Sequence, residues 1–179
     1  MAPLSIASVV PLVAKQSAAR MDEETFRRFY EITARPLRGY LIRMLHNGAA
    51  ADDLLQESYL RLLKAKLPEA ATEQHLKNYL FRIATNLLKD HKALRPETAL
   101  DEDIETADPA AADGDVARML ARLKPAQREL LWLAYVERFS HVEIARMLGL
   151  KPQSIRPLLS RARHAFTAAL QRGGFGEKK

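Results

Sequence analysis

The stretch FSHVEIARMLGLKPQSIRPLLSRARHAF, residues 139–166, decides the fold of the C-terminal part of the chain, because its local signals specify two helices and the turn between them. Ser140 and Glu143 have the spacing of a capping box, in which each side chain accepts a hydrogen bond from the other residue's backbone N–H. Phe139 and Ile144 flank this cap as a hydrophobic staple. The first helix is therefore predicted to begin directly after Ser140.

The second helix follows a short turn. Gly149 suits the left-handed residue that ends a helix, and Pro152 suits the first position of the next helix, where no N–H is needed. Apolar residues then recur at helical spacing and are expected to be buried: Ile155, Leu158 or Leu159, Ala162, Phe166 and Leu170. From residue 146 to residue 172 there are six Lys or Arg and no acidic residue. This pattern favours a helix-turn-helix whose second helix enters a DNA major groove; the alternative is an amphipathic hairpin with a solvated basic face.

Composition limits the class of protein. The 179 residues suffice for one or two small domains, and 47% are hydrophobic, enough for a packed core. The net charge of +6 favours nucleic acid or an anionic membrane surface as a partner. Without cysteine there is no disulfide framework and no cysteine-ligated metal site, so we expect a cytoplasmic protein. Separately, no metal, cofactor or catalytic residue is predicted.

The N-terminal residues 1–21 read as an extension. Their apolar run resembles a weak signal peptide, but no Lys or Arg precedes it, and Pro3 and Pro11 interrupt it. We expect these residues to be disordered or dispensable, with Met21 as an alternative start. No segment reaches the roughly 18 apolar residues of a membrane span, so no stable membrane insertion is expected.

Helical periodicity dominates the rest of the chain, and no segment has the pattern of a strand. The first helix is predicted from apolar residues between Phe26 and Leu45, with a kink or division at Pro36 and an end at Asn47–Gly48. A second helix is predicted over Ala51–Lys66, with Leu55, Tyr59, Leu62 and Leu63 facing inward. After a polar loop over residues 68–74, a third runs from His75 to about Leu94, with Leu76, Leu80, Ile83 and Leu87 inward.

A flexible acidic linker is predicted over residues 96–115, where eight acidic residues occur without any Lys or Arg. It separates an N-terminal domain, residues 22–95, from a C-terminal domain, residues 116–172, and residues 173–179 are expected to be a disordered tail. The predicted fold class is therefore all-α, with two small helical domains on a tether.

Three segments, in order, resemble the extracytoplasmic-function sigma factors of bacterial RNA polymerase. ADDLLQESYLRLL, residues 51–63, resembles the region 2 signature, and LKNYLFRIATNLLKDHKALR, residues 76–95, resembles the helix that melts and reads the −10 element. Residues 120–169 resemble the C-terminal domain that reads the −35 element. The resemblance implies the function of such a factor: it binds core polymerase and promoter DNA, and it stabilises the melted −10 strand.

The resemblance also implies roles for individual residues. Contacts to the clamp coiled coil of the polymerase β′ subunit are expected from Asp52, Asp53, Gln56, Glu57 and Leu60. Contacts to −10 DNA are expected from Lys77, Tyr79, Arg82, Asn86, Lys89, Lys92 and Arg95. Contacts to −35 DNA are expected from Gln153, Ser154, Arg156, Pro157, Ser160, Arg161 and Arg163. Further partners implied are the polymerase β flap and an anti-sigma factor, which is common in the family.

The loop over residues 66–74 corresponds to the family element that captures a flipped-out −10 base. Because unstacking a base costs a few kcal/mol, a protein that binds only the melted state favours opening without ATP. Tyr79 and Phe81 suit either base stacking or core packing, and aromatic residues at helical spacing are more often core.

Three residues depart from the family pattern. Tyr79 stands where many members have Trp, and Pro157 lies inside the predicted recognition helix, where a small polar residue is usual. An internal proline removes one backbone hydrogen bond, so the helix is expected to be kinked or to begin after Pro152. Leu158 also replaces a residue that is often basic.

Three other classes of function are alternatives to this one. A helix-turn-helix regulator acting without polymerase would need only the C-terminal helices. A sigma mimic that titrates an anti-sigma factor would not need the two basic faces. An enzyme is the weakest alternative, because the His141–Glu143 pair has no cysteine ligands to complete a zinc site.

Overall fold

The computed structural model describes residues 18–19, 21–68, 70–94 and 115–172. The N-terminal domain contains α1 (Glu23–Leu45), α2 (Gly48–Lys64) and α3 (Glu73–Leu94). The C-terminal domain contains α4 (Asp115–Ala121), α5 (Pro125–Leu131), a π-helical turn (Trp132–Val136), α6 (His141–Leu148) and α7 (Pro152–Arg172). The all-α prediction is confirmed. The predicted linker (apart from Asp115), the tail and residues 1–17 lie outside the described residues.

The first helix is not divided at its internal proline. Asp22 caps α1 by accepting a hydrogen bond from the Thr25 N–H at 2.9 Å, and His46 ends the helix in the left-handed conformation, with φ of 53°. The helix continues through Pro36, so the predicted division was wrong. The carbonyl that Pro36 leaves without its helical donor belongs to Ile32, a residue that is 50% exposed.

The second and third helices pack against α1 through the predicted apolar residues. α2 begins three residues earlier than predicted because Asn47 caps it, accepting from the Ala50 N–H at 2.9 Å. Leu63 was wrongly placed inward, since 40% of it is exposed. Tyr59 lies in this core, where burial raises the pKa of its hydroxyl to about 12. The neutral hydroxyl shares a hydrogen bond of 2.6 Å with Thr33.

The predicted capping and turn signals of residues 139–166 are confirmed. Ser140 and Glu143 form the complete capping box, and Gly149 ends α6 with a φ of 69°. α7 begins at Pro152 and runs through Pro157 to Arg172, so the predicted late start was wrong. Ile155, Leu159 and Ala162 are buried, while Leu158 is half-buried.

Two short strands contradict the expectation that the chain has none. β1 (Ala18–Ala19) pairs antiparallel with β2 (Leu67–Pro68). Ala18 and Ala19 belong to the extension predicted to be disordered or dispensable, and at these two residues the extension pairs with β2. A strand of two residues is too short to show an alternating pattern, and backbone pairing alone defines it.

The two domains share one hydrophobic core. Phe81 of α3 is fully buried, and its ring lies 5.7 Å from that of Tyr40 and 5.0 Å from that of Phe139, just before α6. Arg128 of α5 is also buried and donates to the Arg43 carbonyl and to His46 at the end of α1. The C-terminal domain is therefore packed on the N-terminal domain, and no feature of the sequence predicted this contact.

Candidate functional site

The predicted polymerase-binding residues lie along one side of α2. Asp53, Gln56 and Leu60 are exposed, as the helical spacing requires, and Leu60 is 49% exposed. The neighbouring Leu63 adds a second exposed leucine. This side of α2 therefore combines acidic groups with apolar surface, a combination that suits a partner surface with basic and apolar residues.

Two of the acidic residues on α2 are already engaged within the chain. Both oxygens of Asp52 accept from Arg38 of α1, at 2.6 and 3.1 Å, and these hydrogen bonds hold the pKa of Asp52 below its usual value. Glu57 pairs with Arg61 at 2.7 Å, one turn further along α2. Asp53 is thus the most available carboxylate of the set, and Asp52 chiefly fixes α2 against α1.

A pocket of about 360 Å³ lies between the loop after α2 and the first turns of α3. Its walls are mostly apolar and include the strand β2 and the ring of Tyr79; the lining residues are Lys66, Leu67, Pro68, Ala70, Ala71, His75, Leu76 and Tyr79. Tyr79 is 38% exposed, whereas Phe81 is fully buried. Of the two aromatic residues, only Tyr79 is placed to stack on a base.

The predicted −10 residues divide into two groups on α3. Arg82 and Asn86 are exposed, and Lys92 is half-buried. Two lysines contact the C-terminal domain: Lys77 is half-buried and pairs with Glu137 at 3.1 Å, whereas Lys89 is exposed and donates to the Leu148 carbonyl at 2.8 Å. Arg95 lies outside the described residues.

The predicted −35 residues lie on the side of α7 opposite its buried face. Gln153, Arg156, Pro157, Arg161 and Arg163 are exposed, and Ser154 and Ser160 are half-buried. Arg163 donates to the Tyr135 hydroxyl at 3.2 Å, which orients its guanidinium toward the π-helical turn. The structure therefore presents a basic helix face of the kind that the sequence predicted.

Three residues at the contact between the domains were not among the predicted site residues: Asn78, Glu137 and Glu143. Asn78 of α3 donates to Glu143 of α6 at 2.6 Å. Burial alone would raise the pKa of Glu143, but hydrogen bonds from Ser140, Asn78 and Gln74 together lower it. The sequence identified Glu143 only as part of the capping box. Its contact with α3 depends on Asn78, a residue 65 positions away.

A smaller pocket of about 190 Å³ lies where α3 meets α6, and it shares His75 and Tyr79 with the loop pocket. Arg82 and Arg146 face it from the two domains.

Across the described residues, none of the helices is both long and apolar enough to span a membrane.

The comparisons with known proteins agree with this arrangement. The sigma-70 region 2 family matches residues 29–95, and the sigma-70 region 4 family matches residues 113–165. RNA polymerase sigma factor CarQ of Myxococcus xanthus is 30% identical over 146 residues, which cover 75% of this chain and 82% of CarQ. ECF RNA polymerase sigma factor SigC of Mycobacterium tuberculosis is 28% identical over 168 residues, covering 85% of this chain and 86% of SigC.

Solved structures show the same fold. The sigma factor RpoE, in complex with the anti-sigma factor NepR from Bartonella quintana, superposes with a TM-score of 0.66 at 23% identity, covering 83% of this chain and 98% of RpoE. CnrH, in complex with the cytosolic domain of CnrY, superposes with a TM-score of 0.62 at 21% identity. This superposition covers 84% of this chain and 90% of CnrH. The chain therefore belongs to the extracytoplasmic-function sigma factors, the non-enzymatic subunits that direct RNA polymerase to its promoters.

Proposed function

We propose that this sigma factor uses three separate surfaces, in chain order: α2 for core polymerase, the loop pocket with α3 for the −10 strand, and α7 for the −35 duplex. The observation that best supports this division is the loop pocket, because it places an exposed aromatic ring, Tyr79, beside an apolar cavity. A plain helix-turn-helix regulator would leave the match of residues 29–95 to region 2 without a role.

Binding of polymerase is assigned to the exposed side of α2. Asp53 and Glu57 supply negative charge, and Leu60 supplies apolar contact area. We expect this side to lie on the clamp coiled coil of the β′ subunit, while the C-terminal domain meets the β flap. Both partners are in the cytoplasm, where this chain is expected to act.

The −10 strand is assigned to the loop pocket and the exposed residues of α3. A base that leaves the duplex can enter the pocket and stack on Tyr79, and base–aromatic stacking contributes about 1–3 kcal/mol. Arg82 beside it can follow the phosphate backbone, and the amide of Asn86 can both donate to and accept from a base edge. Opening then results from selective binding of the melted state.

The −35 duplex is assigned to α7. Its exposed arginines can contact phosphates and guanine edges in the major groove. Gln153 and Ser154 lie in the first turn of α7, the end of a recognition helix that usually reads base edges.

An anti-sigma factor is a further proposed partner. RpoE was solved with NepR and CnrH with the cytosolic domain of CnrY, and both have the fold of this chain. An equivalent partner here would find the exposed leucines of α2 accessible.

Run-off transcription tests the whole proposal. Purified core polymerase is combined with this chain on a library of genomic fragments, and transcripts that depend on the chain are sequenced. We expect a shared −35 and −10 sequence upstream of the start sites; the absence of any dependent transcript would remove the proposal.

Two variants test the separate surfaces. The Asp53→Asn/Glu57→Gln chain should lose most co-purification with core polymerase, while the matched Glu24→Gln/Glu31→Gln chain, which removes two carboxylates from α1, should retain it. Tyr79→Ala should reduce binding of a 2-aminopurine-labelled single strand by the holoenzyme roughly tenfold, because one stacked base is lost. Tyr79→Phe should retain that binding.

A further inference from the structure

The loop after α2 is paired with the N-terminal extension at the point where it forms a wall of the loop pocket. β1 runs antiparallel to β2, with Ala18 opposite Pro68 and Ala19 opposite Leu67. Leu67 and Pro68 both line the pocket of about 360 Å³, together with the ring of Tyr79. Residues from far upstream in the chain therefore contact the wall of the cavity in which a −10 base is proposed to stack.

The two ends of this loop are anchored by the helices that flank it. The Ala65 N–H donates to the Leu62 carbonyl at 3.1 Å, at the end of α2. Thr72 anchors the other end, where its carbonyl accepts from the Leu76 N–H at 3.0 Å in the first turn of α3. β2 lies between these anchors, and its pairing with β1 supplies a backbone contact from outside the loop.

Side-chain burial holds this loop only weakly. Lys66, Pro68 and Ala70 are exposed, and Leu67 and Ala71 are half-buried. A segment with few buried contacts opens locally at a low free-energy cost, so backbone pairing matters more here than in the helices. A pocket with such walls binds a base more tightly when its shape is fixed beforehand, because less conformational freedom is then lost on binding.

β1 is kept beside this loop by the start of α1. Only Arg20 and Met21 separate Ala19 from Asp22, the residue that caps α1. Met21 is half-buried and packs on the hydrophobic core. A pair of two-residue strands is marginal by itself, and this short connection lowers the entropic cost of bringing β1 to β2.

We propose that β1 is a positioning strand for the loop pocket: its pairing with β2 holds the pocket wall in the shape that accepts a −10 base. The N-terminal extension thereby contributes to −10 recognition through the wall of the pocket. This inference rests on the proposed function, which assigns the loop pocket to the −10 strand. Loss of β1 leaves the ring of Tyr79 in place but frees the wall formed by β2, so only a fraction of the molecules offers the base a formed pocket.

Two prolines placed in β1 test the inference. Ala18→Pro/Ala19→Pro removes both N–H groups of the strand, and proline is poorly tolerated where a strand is paired. Ala7→Pro/Ala14→Pro is the matched control, because it makes the same two changes in the extension outside β1. A chain that lacks residues 1–20 and begins at Met21 removes the strand altogether but keeps the residue that packs on the core.

The measurement is binding of the 2-aminopurine-labelled single strand by the holoenzyme. We expect the Ala18→Pro/Ala19→Pro chain and the shortened chain to bind roughly threefold to tenfold more weakly than the wild type, and the matched control to bind as the wild type does. In the Tyr79→Ala background the same β1 prolines should change binding by less than about twofold, because the base is no longer stacked in the pocket. This dependence on Tyr79 distinguishes an effect on the pocket from a general loss of stability.

All of these chains should co-purify with core polymerase to the same extent, because α2 is unchanged. Wild-type affinity of the β1 proline chain, with Tyr79→Ala still weak, would overturn the inference and leave the proposed function intact. An equal loss in the Tyr79→Ala background would contradict it as well, because β1 would then act elsewhere than on the pocket. If Tyr79→Ala itself binds like the wild type, the assignment of the pocket in the proposed function is wrong, and this inference falls with it.

Discussion

Arg128 tests most directly what stabilises the C-terminal domain and its packing on α1. Its side chain is 6% exposed and donates hydrogen bonds to the carbonyls of Leu120, Ala121 and Leu123, at 3.0, 2.9 and 3.2 Å. The same guanidinium donates to the Arg43 carbonyl of α1 at 3.0 Å and to His46. One side chain therefore supplies hydrogen bonds to backbone carbonyls at the end of α4 and at the end of α1.

The substitution Arg128→Met removes all these donors while keeping a long apolar side chain. Hydrogen bonds from a charged donor contribute about 1.5–3 kcal/mol each, but they are not additive, and methionine retains part of the packing. Breaking a buried network of this kind places the loss in the upper range for point substitutions, so we expect the free energy of unfolding to fall by about 3–5 kcal/mol.

Urea denaturation followed by far-ultraviolet circular dichroism measures this loss. Arg122→Met is the matched control, because Arg122 lies in the same turn region and is exposed; we expect it to change the free energy of unfolding by less than about 0.5 kcal/mol. Arg128→Lys should lie between the two, because an ammonium cannot reach acceptors in the directions of a guanidinium fork. A loss below about 1 kcal/mol for Arg128→Met, or a loss equal to that of the control, would refute the reasoning.

Three further predictions concern α6 and α7. Pro157→Ala should raise the free energy of unfolding by about 1–3 kcal/mol, because it restores the N–H that bonds to the Gln153 carbonyl. Selection on randomised −35 duplexes should then show an altered sequence preference, because Gln153 lies among the residues expected to contact −35 DNA. An unchanged preference would contradict this prediction. Gly149→Ala should lower the free energy of unfolding, measured by urea denaturation, by about 1–2 kcal/mol, because the φ of 69° is unfavourable for any residue with a Cβ. No atom obstructs the added Cβ, so the backbone conformation is the whole cause. Gly48→Ala at the start of α2 is equally unobstructed and should leave the free energy of unfolding unchanged. The pKa of Glu143 is lower in the folded chain than its ordinary value of 4.5, so its carboxylate stabilises the fold at neutral pH and that contribution is lost as the pH falls below 4.5. The stability gap between wild type and Glu143→Gln should therefore shrink in acid, and a constant gap would argue against the assignment.

The parts of the structure that sequence reasoning reached are those with local causes. The capping box at Ser140, the left-handed Gly149 and the proline start of α7 each depend on residues within one turn of each other, and all three are confirmed. Helical spacing also predicted the buried side of α2. Of the residues predicted to face inward on this helix, only Leu63 is exposed.

The contact between the domains lay beyond that reasoning. Asn78 and Glu143 are 65 positions apart, and Arg43 and Arg128 are 85 positions apart, with the acidic segment between the domains. A charged residue such as Arg128 is ordinarily read as exposed, and its burial becomes intelligible only when the carbonyls around it are known. Phe81 shows the same difficulty, since an aromatic residue on a basic helix is equally consistent with base stacking and with burial against Phe139.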